Sequence, residues 1–124
     1  MSFKVIIAGG RDFNDVKLLE DSVGRTLEVK LRTTPIEIVC GRANGADTLG
    51  EVYALDRGIK LKYFPADWDK HGKKAGYLRN EQMAKYADAL IAFWDGKSKG
   101  TDSMIKLAKK HNLKTKVVRY ESED

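Results

Sequence analysis

Apolar residues along the chain switch between two spacings, one typical of strands and one typical of helices. Short runs rich in Val, Ile, Leu or Phe predict five strands, at 3–8, 35–40, 60–64, 87–93 and 114–120. Between them, apolar residues recur every three or four positions, which predicts helices. The four helical stripes begin near Val16, Ala46, Tyr77 and Thr101.

Strands that alternate with helices predict an α/β domain with a mostly parallel sheet, because parallel neighbours are joined by helical crossovers. We expect one Rossmann-like three-layer sandwich spanning 1–124, with the strand order 3-2-1-4-5. The third and fifth strands carry lysines at alternating positions or at their ends, which predicts that they are the sheet edges. This order places the topological switch point between the first and fourth strands.

Composition narrows the function classes. The chain has 124 residues, which fits one domain, and no apolar run approaches the roughly 20 residues of a membrane span. No secretory signal is apparent at the N-terminus, so a cytoplasmic location is expected and a membrane partner is not. The lone Cys40 forms no internal disulfide and builds no spaced ligand cluster with His71 and His111, so we expect neither a metal nor another cofactor.

The charge balance favours anionic partners. Lys and Arg number 23 against 18 Asp and Glu, a net charge of +5. Many lysines alternate with polar residues, which is more typical of a solvated surface than of a nucleic-acid stripe. Nucleic acid is therefore the less favoured partner, and a homodimer stays an open alternative.

Three glycine-rich loops follow the first, second and fourth strands, the strands nearest the switch point. Glycines let the backbone approach a ligand, and each loop leads into a helix N-terminus, which attracts anions. Asp47 and Thr101 also have a plainer interpretation as helix N-caps. The coincidence of three such loops predicts a site for a phosphate or nucleotide, with these residues: Gly9, Gly10, Arg11 and Asp12; Gly41, Asn44, Gly45 and Asp47; Gly100 and Thr101.

The connection between the third and fourth strands, at 64–78, is long for such a unit, and long loops are often functional. Trp68 and Tyr77 are equally suited to stack on a base or to anchor the loop. Arg79 and Asn80 are expected to open the next helix, where a cation faces the unfavourable end of the helix dipole. Arg79 there indicates a bound anion.

The combined motifs resemble a known superfamily over nearly the whole chain. They read G-G-R-D-F from Gly9, G-R-A-N-G-A-D from Gly41, F-P-A-D-W from Phe64, G-K-K-A-G-Y-L-R-N from Gly72, and G-T from Gly100. The chain resembles the SLOG superfamily, specifically its YspA, cpYpsA-related branch. The resemblance implies a Rossmann-like fold and a pocket for nucleotides or nucleotide-derived ligands.

The resemblance also suggests roles within that pocket. Backbone N–H groups of the glycine turns and of Thr101 would hold phosphate, with Arg11 and Arg79 as charge partners. Asn80, Asp47 and Asp67 would orient the ribose or base, and Trp68 would stack over the ligand.

Relatives in the superfamily include LOG phosphoribohydrolases, DNA-processing DprA proteins and nucleotide-sensing domains. The R-K-x-x-M segment of LOG enzymes resembles 79–83 apart from Asn80, which makes Arg79 a candidate catalytic residue. The catalytic Glu of LOG enzymes corresponds to Met104, whose thioether cannot replace a carboxylate. The candidate replacement carboxylates are Asp95, Asp102, Asp67 and Glu51. Binding is the leading hypothesis, hydrolysis of a nucleoside monophosphate the second and nucleic-acid binding the third.

Overall fold

The computed structural model describes residues 2–41 and 45–121, and its strands form one sheet in the order β3-β2-β1-β4-β5. This is the predicted order, and all four neighbouring pairs are parallel. The strands are β1 (Phe3–Gly9), β2 (Ile36–Cys40), β3 (Lys60–Tyr63), β4 (Ala89–Trp94) and β5 (Lys114–Arg119). The helices are α1 (Val16–Thr33), α2 (Ala46–Asp56), α3 (Trp68–His71), α4 (Ala75–Tyr86) and α5 (Lys99–Lys110).

Helices cover both faces of the sheet, as the predicted three-layer sandwich requires. On β1, Val5 and Ile7 pack in one core cluster with apolar residues of α1 and α2. Ile6 points to the opposite face and joins a second cluster with Met83 of α4 and Met104 of α5. The alternation of side chains along a strand thus divides the core into two layers.

The two weakly apolar strands are the sheet edges, as their charge pattern predicts. Most residues of β3 are exposed, and β5 alternates between exposed and half-buried positions. The inner strand β2, between β3 and β1, is buried along its whole length. Charged side chains on the outer strands discourage pairing with other sheets.

The connection after β3 has more regular structure than the sequence predicts. It contains the single-turn helix α3 and a 3₁₀ turn at Gly72–Lys74, and α4 begins at Ala75. The expectation of a long loop up to 78 is therefore wrong. Asp67 forms the N-cap of α3, because its Oδ1 accepts a hydrogen bond from the Lys70 N–H at 3.1 Å.

The topology creates a crevice where the connections diverge. The chain leaving β1 crosses to one face of the sheet through α1, and the chain leaving β4 crosses to the other face through α5. Because β1 and β4 are neighbours, their carboxyl ends flank an opening. No helix in the described ranges is both long enough and apolar enough to cross a lipid bilayer.

Candidate functional site

A cleft of about 670 Å³ lies at this switch point. Its lining comes from the end of β1 and the following loop, the first turn of α2, α3, the part of α4 up to Met83, and the N-cap and first half of α5. We call it the switch-point cleft. Its volume falls within the range of about 300–1,000 Å³ that is typical of small-molecule sites.

Most residues predicted for the site line this cleft. Ten of them do so: Gly9, Gly10, Arg11, Asp12, Asp47, Trp68, Arg79, Asn80, Gly100 and Thr101. Gly41, Gly45 and Asp67 lie outside the lining. Asn44 lies outside the described residues. The three glycine loops therefore converge at one edge of the sheet, and Arg11 and Arg79 lie in the same cleft.

The loops after β1 and β2 contact each other through backbone atoms, which explains two of the glycines. A Cβ atom on Gly45 would lie 2.0 Å from the Gly10 carbonyl oxygen, and Gly45 has φ +79°. A Cβ atom on Gly9 would lie 2.7 Å from Ala46 Cβ and from the Phe93 carbonyl oxygen. Any larger residue would separate the loops. Gly45 thus shapes the cleft without lining it.

Aromatic packing fixes the loop after β1. The ring of Phe13 stacks on Phe93 at 4.7 Å and meets Tyr120 edge-on at 4.8 Å. Tyr120 Oη donates a hydrogen bond to Asp12 Oδ1 at 3.0 Å. Burial, together with this bond to the Asp12 carboxylate, raises the pKa of Tyr120 above its usual value. The phenol therefore stays protonated and holds Asp12 in place.

Arg79 spans the gap between α4 and the end of β2. Its Nε donates to Asn80 Oδ1 at 2.8 Å, and its Nη1 donates to the Gly41 carbonyl oxygen. Nη2 has no hydrogen-bond partner among the described residues. Because a guanidinium carries five N–H donors in a fixed plane, the two bonds orient the group and leave donors for an anion.

The sequence-based expectation that Arg79 opens its helix is wrong. The helix begins at Ala75, so Arg79 lies in its second turn. The helix dipole acts mainly within the first turn, so it cannot explain the need for an anion at this position. A bound anion is indicated instead by the Arg79 N–H donors that have no partner among the described residues.

Asp47 is a buried carboxylate next to Arg79, with 6% of its surface exposed. A Cβ atom on Gly41 would lie 3.0 Å from Asp47 Oδ2 and 2.9 Å from Arg79 Nη1, so both groups border the same small space. The alternative that Asp47 is an N-cap is wrong, because Gly45 occupies that position. Asp47 instead lies in the first turn of α2 and lines the cleft.

The N-terminus of α5 lies at the cleft, and hydrogen bonds to Trp94 and Asp95 fix the residues just before it. Asp95 Oδ1 accepts hydrogen bonds from the N–H groups of Lys97 and Ser98, both at 2.8 Å, which lowers the pKa of Asp95. Trp94 Nε1 donates to the Ser98 carbonyl oxygen at 3.0 Å. Ser98, the N-cap, makes no side-chain capping bond. The first amides of α5, which have no partner within the helix, therefore remain available at the cleft.

Thr101 is not an N-cap, since Ser98 holds that position and Thr101 is the third residue of α5. Its side chain is buried, with 4% of the residue exposed, and its Oγ1 lies 3.3 Å from Ser98 Oγ. Gly100, by contrast, has no atom within 4 Å of the position a Cβ would occupy. The Gly100 backbone is therefore open to close approach from the cleft.

Two exposed aromatic side chains lie at the cleft. Trp68 is 53% exposed and Tyr77 is 49% exposed, and both belong to the lining. A Cβ atom on Gly76 would lie 3.4 Å from Trp68 Cη2, so the indole covers this glycine. Large aromatic surfaces left open to water beside a cleft are suited to stacking on a planar ligand.

Sequence reasoning missed several lining residues. They are Ala8, Gly76, Met83, Ser98, Lys99, Ser103 and Met104. Ser98 and Lys99 directly precede the predicted Gly100, so an earlier helix start would have revealed them. The sequence comparison singled out Met104 only because it stands where LOG enzymes have a glutamate. Met104 also lies one turn after Gly100 in α5, which places it in the lining of the cleft.

The acidic residues considered as replacement carboxylates lie elsewhere. Asp95 holds the loop before α5, Asp67 caps α3, and Asp102 forms an ion pair with Lys106 at 3.0 Å. Neither these three nor Glu51 line the switch-point cleft. Asp12 and Asp47 are the carboxylates that do, within the described part of the chain.

A parallel 3-2-1-4-5 sheet with a cleft at its switch point defines a Rossmann-like α/β protein. Residues 3–71 match the YspA, cpYpsA-related SLOG family, and the chain belongs to that family. It is also 35% identical over 120 residues to the Gene 61 protein of Mycobacterium phage D29, covering 89% of this chain and 91% of the relative. Family membership supports a Rossmann-like, nucleotide-related domain.

Proposed function

We propose that the switch-point cleft binds a phosphorylated nucleotide or a nucleotide-derived metabolite. The observation that carries this proposal is the convergence of Arg11, Arg79 and the first amides of α5 on one cleft. Guanidinium groups and helix N-termini are both recurrent partners of phosphate. The glycine-rich loops around them allow the ligand to approach the backbone closely.

Each part of the ligand has a matching group. The amides of Gly100 and Thr101 and the Lys99 ammonium would hold a phosphate, and Arg79 would add its remaining donors. Asn80 and Asp47 would orient the ribose or base by hydrogen bonds, while Trp68 would stack on the base. Asp67 is left out of this assignment, because it caps α3 outside the cleft.

The test is a thermal-shift screen of the purified chain against mononucleotides, dinucleotides and compounds like cyclic ADP-ribose. A ligand that binds only the folded form raises the melting temperature. The matched variants are Arg79→Ala and Arg25→Ala, which remove the same charge. Arg25 is exposed on α1 and lines no part of the cleft. The proposal predicts a shift that Arg79→Ala abolishes and Arg25→Ala preserves, whereas no shift with any compound would overturn it.

Asp47 favours a second candidate function, hydrolysis of the N-glycosidic bond of a nucleoside monophosphate. Such a reaction adds water across the bond and needs a carboxylate to accept a proton or stabilise the developing positive charge. Asp47 is buried beside Arg79 at the cleft, where the resemblance leaves Met104 in place of an acid.

The assay for this reaction is release of free adenine from AMP. The hydrolase hypothesis predicts release by the wild-type chain and its loss in Asp47→Asn, which keeps the size of the side chain while removing its charge. If AMP binds and no adenine appears, the protein is a binding module.

A further inference from the structure

A second concave surface adjoins the switch-point cleft and is lined by the side of α5. It has a volume of about 350 Å³, and its polar lining consists of Lys99, Asp102, Ser103, Lys106 and Lys110. Tyr77 and Leu107 complete it. We call it the lysine groove. Tyr77, Lys99 and Ser103 also line the switch-point cleft, so the two spaces lie side by side and share these residues.

The positions of the lysines on α5 give the groove its direction. Lys99, Lys106 and Lys110 are spaced by seven and four residues, which places them along one side of the helix. Lys99 is at the N-terminus, inside the cleft, and Lys110 is the last residue of α5. The eleven residue steps from Lys99 to Lys110 span about 16 Å of helix. The row of cations therefore leads from the proposed phosphate site outwards.

The lysine groove has a net positive charge, because three lysines and one carboxylate line it. Asp102 Oδ2 lies 3.0 Å from Lys106 Nζ, which offsets one lysine. Across 2–41 and 45–121, no carboxylate lies within ion-pair distance of Lys99 or Lys110. Unpaired cations along a concave surface attract a chain of negative charges.

Tyr77 adds an apolar surface at the junction of the two spaces. Its side chain is about half exposed, and it lines both the cleft and the groove. Trp68 lines only the cleft. Two aromatic surfaces, one in the cleft and one at its junction with the groove, suit a ligand with two planar groups or with a planar group and an extended anionic tail.

We infer that the ligand of this site extends beyond a mononucleotide and places a second phosphoryl-bearing unit in the lysine groove. This inference rests on the proposed function, because the first nucleotide must occupy the switch-point cleft. The shared chemistry is a second negatively charged group linked to the first. Its source is either a longer phosphate chain or a second nucleotide unit stacked on Tyr77.

The experiment is calorimetric titration of the full chain with AMP, ATP, the dinucleotide pApA and a tetranucleotide of the same series. We expect pApA or ATP to bind about tenfold more tightly than AMP, which corresponds to about one additional charge-assisted hydrogen bond. A gain with pApA that Tyr77→Ala removes identifies a second nucleotide. A gain with ATP that Tyr77→Ala preserves identifies a phosphate chain.

The double variant Lys106→Ala/Lys110→Ala assigns the gain to the groove. Its ratio of dissociation constants for AMP and the longer ligand should fall towards one. The control Lys17→Ala/Lys109→Ala removes the same charge from residues that line neither space, and it should keep the wild-type ratio.

The remaining outcomes separate the two proposals. If AMP binds and neither longer ligand binds more tightly, this inference is wrong and the proposed function stands. If no nucleotide of any length binds the folded chain, both are wrong. If the tetranucleotide gains a further tenfold that falls steeply with salt, the surface binds a nucleic-acid strand, and the assignment to a small ligand is overturned.

Discussion

Tyr120 ties the end of the chain's last strand to the loop after its first, because its Oη donates to Asp12 Oδ1 at 3.0 Å. These residues are 108 positions apart in the sequence. The bond fixes Asp12 at the wall of the switch-point cleft, while the ring packs edge-on against Phe13. The shape of the site therefore depends on Tyr120, the residue after β5, although neither it nor any residue of β5 lines the cleft.

Replacing Tyr120 with Phe keeps the aromatic packing and removes the hydrogen bond. We expect the free energy of unfolding at pH 7 to fall by about 0.5–1.5 kcal/mol, the usual net value of one such bond. Urea unfolding measures this change. A variant as stable as the wild type would show that the bond to Asp12 contributes nothing.

The same variant also changes the alkaline pH dependence. The pKa of Tyr120 is higher in the folded protein than in the unfolded chain. Above about pH 10 the unfolded chain loses the phenol proton while the folded protein keeps it, so stability is complete below that pH and falls above it. Tyr120→Phe should reduce this fall in urea unfolding between pH 8 and 11. Equal slopes for both proteins would contradict the assignment.

Asp95 predicts a pH effect of the opposite sign. Its hydrogen bonds from the Ser98 and Lys97 N–H groups lower its pKa in the folded state. The stabilisation is therefore complete above the unfolded pKa of about 3.9 and is lost as the pH falls through the lower, folded pKa. Asp95→Asn keeps an acceptor oxygen and does not titrate. Its unfolding curve should depend less on pH between 2 and 5, and an unchanged dependence would show that Asp95 contributes little.

Gly45→Ala tests the contact between the two loops. Gly45 and Gly72 have similar backbone conformations, with φ +79° and +56° and ψ −126° and −133°. A Cβ on Gly45 meets the Gly10 carbonyl oxygen, whereas one on Gly72 meets nothing within 4 Å. Each variant should lose about 1–3 kcal/mol through backbone strain. Gly45→Ala should lose more, measured by urea unfolding, and equal losses would mean that the loops can separate freely.

Gly100→Ala should separate stability from binding. Gly100 lies in the first turn of α5 with open space around its missing Cβ, so alanine should stabilise the helix by about 0.5–1 kcal/mol. The same methyl group would occupy the space in which a phosphate approaches the backbone. We therefore expect a higher melting temperature with a smaller nucleotide-induced shift. A variant that is more stable and binds equally well would place the phosphate away from Gly100.

The strand order was predictable because the local sequence of each strand distinguishes an edge strand from an inner one. Lysines at alternating positions or at strand ends marked the edges β3 and β5, which left the more apolar strands for the interior of the sheet. The short helix α3 was not predictable from periodicity, since none of its residues is buried and only the Asp67 cap marks its start. A helix of a single turn is too short to show a repeating pattern of apolar residues.

The sequence predicted that the loops of the candidate site lie together. It did not predict most of the individual contacts between their residues. Parallel strands bring their carboxyl ends together, so the residues after β1 and β4 had to meet. The pairing of Arg79 with the Gly41 carbonyl oxygen joins residues 38 positions apart, and no local pattern encodes it. The N-cap of α5 was predicted at the wrong residue, because Ser98, three residues before Thr101, is the N-cap and the helix begins at Lys99.

The most direct test of the central claim is a binding isotherm, measured side by side on the wild-type chain, Arg79→Ala and Arg25→Ala, with the nucleotide that gives the largest thermal shift. The account predicts one ligand per chain and at least tenfold weaker binding for Arg79→Ala, since a hydrogen bond between charged groups contributes about 1.5–3 kcal/mol. Arg25→Ala should bind like the wild type. Equal affinity in all three proteins would contradict the claim that the switch-point cleft is the binding site.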